Sequence, residues 1–181
     1  MRVFTLVIVK KEKCDMPKTL LIFGASSGLG LYLLNNLPAA GDTVYSVSRS
    51  KPTIENKDYQ HLHISADLSE VNAVDKVTSS LGDKAIDLFI YCSGSWEMTA
   101  IAKISPSEIQ SIINVNLSSF MANVVGLMDN LHKAKGKVIA IGSTSGLDNA
   151  IGGGPIYAAS KFGLRGAIHG FRPLLSKLDV A

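Results

Sequence analysis

This sequence predicts an α/β fold with a doubly wound parallel sheet, on three observations. Five short apolar runs, Thr19–Phe23, Thr43–Ser48, His61–Ile64, Asp87–Cys92 and Lys137–Ile141, alternate with stretches of helical pattern. They read as near-continuous apolar runs, as parallel strands buried on both faces should. A glycine-rich turn, Gly24-Ala25-Ser26-Ser27-Gly28-Leu29-Gly30, follows the first run directly and opens a helix. The chain has 181 residues, 46% hydrophobic and 18% charged, enough for one domain with its own core. Helices linking the strands give right-handed βαβ units and three layers. The expected strand order is 3-2-1-4-5.

Several element boundaries have a local cause. Pro38 and Gly41 stop the first helix. Ser69 can cap the helix after the third strand. Ser105-Pro106-Ser107-Glu108 has the form of a capping box, with proline at the first helical position. Gly136 is placed to end a long helix before the fifth strand. Pro155 to about Lys177 is helical in pattern, with a kink expected at Pro173. A sheet ending at Lys137–Ile141 leaves an apolar edge unpaired. The expectation is that another chain covers it, or that the sequence is a piece of a longer one.

The domain is expected over residues 17–181, with 1–16 as an N-terminal extension. Val3 to Val9 is apolar and is followed by Lys10, Lys11, Glu12 and Lys13. No small-residue cleavage site follows, and the flanking charge is reversed from that of a secretion signal. The segment reads as an added edge strand or a disordered extension, with Met16 an alternative start.

Composition narrows the partners. The net charge of +3 is small and unclustered, which argues against nucleic acid. The two cysteines, Cys14 and Cys92, match no metal spacing and suit a reducing, cytoplasmic compartment. No apolar stretch approaches the ~20 residues that span a bilayer.

The glycine turn carries the first chemical signal. Gly24 permits a tight exit from the strand, Gly28 a close approach of backbone to a ligand, and Gly30 close packing of helix on sheet. Ser26, Ser27 and Leu29 complete the loop. The helix N-terminus offers free N–H groups and the positive end of its dipole, which suits the pyrophosphate of a dinucleotide. A glycine loop alone is a weak signal, but here the strand before it and the helix after it supply the context of a Rossmann fold. Dinucleotide binders specific for NAD place an acid about 20 positions beyond the loop. Here the second strand ends Ser46-Val47-Ser48-Arg49-Ser50-Lys51, with no carboxylate. Arg49 and Lys51 can pair with a 2′-phosphate and Ser48 can hydrogen-bond it, so NADP(H) is favoured, with NAD(H) the alternative. Asp67, beside Leu68 after the third strand, can accept from the adenine amino group.

The second signal lies far downstream. Tyr157 and Lys161 are i and i+4 on one helix and share a face. A free phenol is a poor base at neutral pH, and a nearby ammonium favours its phenolate. In reduction the phenol is the acid. Ser143 falls at the carboxyl end of the fifth strand, where ligands bind, and can hold a substrate oxygen. Ser145 is the alternative. Asn116 interrupts the long helix and can hold a water or a backbone carbonyl in a proton relay.

Together these residues resemble the short-chain dehydrogenase/reductase family, from Pro17 to Leu178 and in the family order. The glycine pattern is similar to the compact branch's Thr-Gly-x-x-x-Gly-x-Gly, with Phe23 for the threonine. Asp67 falls on the adenine-contacting aspartate. Asn116, Ser143, Tyr157 and Lys161 fall on the catalytic tetrad. The resemblance implies a carbonyl–alcohol oxidoreductase using NAD(P)(H) on a small molecule, with Tyr157 as acid/base and Lys161 as activator and ribose binder. It also implies a homodimer or homotetramer through the two long C-terminal helices, where Gly163, Gly166 and Gly170 allow close approach. Three departures stand out. Tyr91-Cys92-Ser93-Gly94 replaces Asn-Asn-Ala-Gly, so Ser93 and Gly94 take the cofactor-floor positions. The spacing from Ser143 to Tyr157 is one residue longer than usual. The family's last two strands and substrate-covering segment are missing, leaving Trp96 and Met98 as loose candidates for the pocket wall. A non-catalytic dinucleotide-binding or interaction protein is the competing reading.

Overall fold

A computed structural model describes residues 16–55, 58–148 and 154–181. The expectations for residues 1–15, Cys14 included, lie outside them. The elements run β1 (Thr19–Phe23), α1 (Gly28–Asn36), β2 (Thr43–Ser48), β3 (Gln60–Ser65), α2 (Ala73–Leu81), β4 (Leu88–Tyr91), α3 (Pro106–Ile113), α4 (Ser119–Gly126), α5 (Met128–Ala134), β5 (Lys137–Ala140) and α6 (Pro155–Ser176). All strand pairs among the described residues are parallel, in the order β3-β2-β1-β4-β5. The sheet is the one expected.

Its two faces bury separate clusters. Phe23, Phe89 and Tyr91 point to one face and meet Phe120 of α4, with ring centroids 5.0–6.4 Å apart. α2, α4 and α6 cover that face through Val77, Val124 and Leu164, all buried. Leu20, Ile22, Val44 and Ile90 point to the other face, where Leu34 of α1 packs. Burial on both faces holds for β1 and β2 but not for the whole sheet. β3 and β5 alternate between exposed and more buried positions, Ile64 being buried, because they lie at the edges.

Four local expectations need correction. Ser69 does not cap α2, whose N-cap residue is Asn72; its N–H and hydroxyl both bond Asp67 Oδ1 instead. The helix before β5 ends in a Schellman turn with Lys135, not a glycine, in the left-handed position (φ 49°), and Gly136 donates to Leu131. The capping box is half formed. Ser105 accepts from the Glu108 N–H, but the Glu108 carboxylate takes the Met98 and Thr99 amides. Pro173 lies inside α6, as the sequence predicts. The β5 edge is not left wholly free: Val138 donates to the Ala181 carbonyl at 2.8 Å and Ala181 to Gly136 at 3.0 Å. No single helix among the described residues is long and apolar enough to cross a membrane.

Candidate active site

Parallel strands put their carboxyl ends on one side of the sheet, and the candidate residues lie at those ends, on the loops leaving them and on the helices that follow. The loop after β1 has Gly24 at φ +73° and Gly28 at φ +53°, conformations that a side chain makes costly. A Cβ on Gly24 would lie 2.8 Å from the Ser93 N, so this loop packs directly on the loop after β4. A Cβ on Gly28 would meet nothing within 4 Å, which leaves an open cradle. The first turn of α1 holds no acidic residue, and its N-cap Ser27 makes no capping bond. These free N–H groups fit a phosphate. Ser26, Ser27 and the exposed Leu29 border the cradle.

The nucleotide-end residues are less uniform. Arg49 is exposed beyond β2. Ser48 is buried and donates to the Ser50 carbonyl at 2.9 Å, so it shapes the loop that presents Arg49. Asp67 lies beside buried Leu68; the Ser69 N–H bond, above all, holds its carboxyl below the usual carboxylate range, against burial. Arg49 and Lys76 push the same way.

Asn116, Tyr157 and Lys161 converge. Asn116 is fully buried in a π-helical turn, Asn114–Ser118, between α3 and α4. Its side chain accepts from the Ser95 N–H at 2.7 Å, donates to the Ser95 carbonyl at 2.7 Å and donates to Ser160 Oγ at 2.8 Å. The long helix expected here is thus three helices with a π turn at the candidate residue, a frequent signature of functional sites. Ser160 donates onward to the Tyr157 carbonyl at 2.7 Å. Lys161 is buried, with Nζ donating to the Ile141 carbonyl at 3.0 Å and standing 5.7 Å from the Tyr157 ring centroid. A Cβ on Gly94 would be 3.8 Å from both Asn116 Oδ1 and Lys161 Nζ. Ser143 Oγ accepts the Ser145 N–H at 3.1 Å, which fixes the hydroxyl and leaves its hydrogen to donate. Arg165 holds this turn from α6 through the Gly146 carbonyl and Asp148.

The electrostatics centre on Lys161. Burial lowers its pKa from the usual lysine value, against an opposing contribution from Cys92. Burial also raises the Cys92 thiol to about 11, so it is neutral at physiological pH. Lys161 makes no salt bridge among the described residues.

Sequence reasoning missed Glu97, Ser160 and Arg165, and it treated Tyr91 only as a departure. The Tyr91 hydroxyl donates to the Val115 carbonyl at 2.7 Å, inside the π turn. A π turn displaces carbonyls from the regular α-helical ladder, and the phenol meets this one. Burial raises its pKa, so it stays a donor. Tyr91→Phe keeps the ring packing but leaves Val115 without that donor. The expected cost is about 1–2 kcal/mol, read as a lower midpoint in denaturant melts.

The short chain dehydrogenase profile matches residues 18–181. The chain belongs to the short-chain dehydrogenase family. Ketoacyl reductase HetN of Nostoc sp. is 29% identical over 157 residues, covering 81% of this chain and 54% of that protein. The 1,2-dihydroxy-1,2-dihydronaphthalene dehydrogenase of Ralstonia sp. is 28% identical, covering 85% and 63%. The L-sorbose reductase of Gluconobacter frateurii, solved with NADPH and L-sorbose, superposes with a TM-score of 0.81 at 19% identity, covering 91% of this chain and 66% of that one. Such structural likeness establishes the short-chain dehydrogenase fold. The chain spans about half to two thirds of these curated relatives, at 54% and 63% of their lengths.

Proposed function

We propose that this chain carries the cofactor-binding and proton-transfer residues of an NADP(H)-dependent oxidoreductase that interconverts a small-molecule carbonyl and an alcohol. The observation that carries the reading is Lys161, a buried ammonium without a salt bridge among the described residues, set beside the Tyr157 ring. Burying an uncompensated charge destabilises a fold. A proton-transfer site has a use for one.

The glycine loop from Gly24 to Gly30 holds the pyrophosphate, Asp67 and Leu68 border the adenine, and Ser93 and Gly94 form the nicotinamide floor. Bound NADP(H) supplies or takes the hydride at the substrate carbon. In reduction Tyr157 gives its hydroxyl proton to the carbonyl oxygen as that hydride arrives, and the Lys161 ammonium stabilises the phenolate left behind. Ser143 donates to the same oxygen and orients it. In oxidation the phenolate takes the alcohol proton. Lys161 also reaches the nicotinamide ribose in this reading, with Tyr157 beside it. Asn116 has both amide hydrogens engaged, so it serves the relay by fixing Ser95 and Ser160 rather than by carrying the proton.

The full chain mixed with NADPH and a panel of ketones and aldehydes should consume NADPH with saturation in at least one case. Tight NADPH binding without consumption across the panel would overturn the reading. The cofactor preference rests on Arg49, exposed where the NAD-type acid is missing. A charge-assisted bond is worth about 1.5–3 kcal/mol, so Arg49→Ala should raise the Kd for NADPH by roughly ten- to hundredfold and leave that for NADH nearly unchanged. Equal weakening of both would argue against 2′-phosphate recognition.

Two further parts of the reading rest on surfaces. Phe162, Ile168 and Leu174 of α6 and Val125 of α4 are exposed apolar residues, and they support pairing of two copies through these helices. Gly166 and Gly170 face open space there, whereas Gly163 packs on Leu117 within the chain. The free thiol of Cys92 supports a reducing, cytoplasmic compartment.

A further inference from the structure

The N-terminus of α6 has an unusual cap. Its N-cap residue is Gly154, which has no side chain to accept a hydrogen bond, and Pro155 at the first position has no N–H. The next two amides, Ile156 and Tyr157, are among the orphan donors that every helix start must satisfy. Both donate to one oxygen of Glu97, at 2.7 and 3.0 Å, across 59 and 60 residues of sequence. A Cβ at Gly154 would collide with that carboxylate, so the glycine makes room for it.

Glu97 stands in the loop after β4, two residues beyond Ser95, whose backbone is clamped by Asn116. The loop is held again at Met98 and Thr99 by Glu108. The carboxylate therefore sits on a segment fixed at both ends. Burial pushes its pKa up, but its own N–H and those of Tyr157 and Ile156 together outweigh that and hold it lowered. A carboxylate kept ionised at a helix N-terminus also meets the positive end of the helix dipole.

Resting on the oxidoreductase reading above, we propose that Glu97 is the positioning residue for Tyr157: it replaces the missing N-cap of α6 and locks the register between the loop after β4 and the helix that carries the proton donor. It touches the main chain of Tyr157, not the reacting atoms. Its effect is therefore on where the phenol lies, and small misplacements of a reacting group cost rate steeply.

The test compares Glu97→Ala, which removes the cap, with Glu97→Gln, which keeps an acceptor oxygen without the charge. In the full chain, Glu97→Ala should lower kcat for carbonyl reduction by about ten- to hundredfold, with the KM for NADPH changed less than about twofold. Glu97→Gln should restore most of kcat. Hydrogen exchange at the Ile156 and Tyr157 amides should quicken in Glu97→Ala while the β1 amides stay as they were. Unchanged exchange at these two amides overturns the proposal, even if kcat falls, because Glu97 would then act on substrate directly. Faster exchange with kcat within about twofold of the parent also overturns it, because the cap would not place the phenol. If the unmutated chain consumes no NADPH with any carbonyl, the oxidoreductase reading itself fails, and the proposal fails with it. Loss of β1 protection in both variants would mean general unfolding and would refute a local cap.

Discussion

Tyr157→Phe is expected to lower kcat for carbonyl reduction by about 10²- to 10⁴-fold, the usual contribution of a positioned general acid. The substitution removes one oxygen and its proton. Tyr157 joins the local framework through its main chain, accepting from Ser160 and donating to Glu97, and both bonds survive the change. Its ring is only partly buried, so packing is barely altered. The melting temperature and the Kd for NADPH should therefore stay close to those of the parent while turnover collapses. Steady-state kinetics beside calorimetric NADPH titration separates the two effects. Activity within a few-fold of the parent would remove Tyr157 from the proton-transfer role.

The largest stability effect is expected from Gly30→Ala. A Cβ there would lie 2.8 Å from the carbonyl carbon of Gly24 and closer still to its oxygen. The obstacle is backbone at the end of β1, not the flexible tip of a side chain. α1 must then lift from the sheet, where Leu34 is buried against Leu20 and Ile22. Overpacking of this kind costs about 3 kcal/mol, or a fall of roughly 6–12 °C in melting temperature for a domain of this size. Gly28→Ala provides the contrast, because open space surrounds its Cβ position. Its cost is backbone strain at φ +53°, about 1–2 kcal/mol, and its main effect should be weaker NADPH binding. A thermal melt and a binding titration on both variants would distinguish a packing glycine from a phosphate-facing one. Equal melting temperatures for the two would contradict the geometry.

How far the sequence could be read depends on where each signal is stored. β1 and β2 keep the expected bounds because both faces are covered, so their apolar runs are unbroken. β3 is one residue longer at each end than its apolar run. As an edge strand it mixes His61, Leu62 and His63 in alternation, which blurs the boundary. The candidate residues Ser143, Tyr157 and Lys161 stand out in the sequence because each sits in a short motif or at a strand end. Glu97 does not, because its partners lie 59 and 60 residues away and no local pattern marks a helix capped from another loop. Lys135 was missed for a related reason: the left-handed position normally favours glycine, and the Schellman bond from Gly136 carries a lysine there instead. The π turn was half visible. Asn116 stood out as a polar break in an apolar helix, but the bond from Tyr91 to Val115 joins residues 24 apart.

The π turn at Asn114–Ser118 makes this stretch unusually sensitive to chain length. A π turn amounts to one extra residue in an α-helix. Deleting a single residue from it would restore a regular helix, rotating the preceding segment by about 100° against the one that follows. Asn116 would then leave Ser95 and Ser160, and the Tyr91 phenol would face a carbonyl already bonded within the helix. Point substitutions can be tolerated around this turn, whereas a one-codon deletion would dismantle the joint between the loop after β4 and α6. Related sequences aligned here should therefore vary in residue type more readily than in residue count.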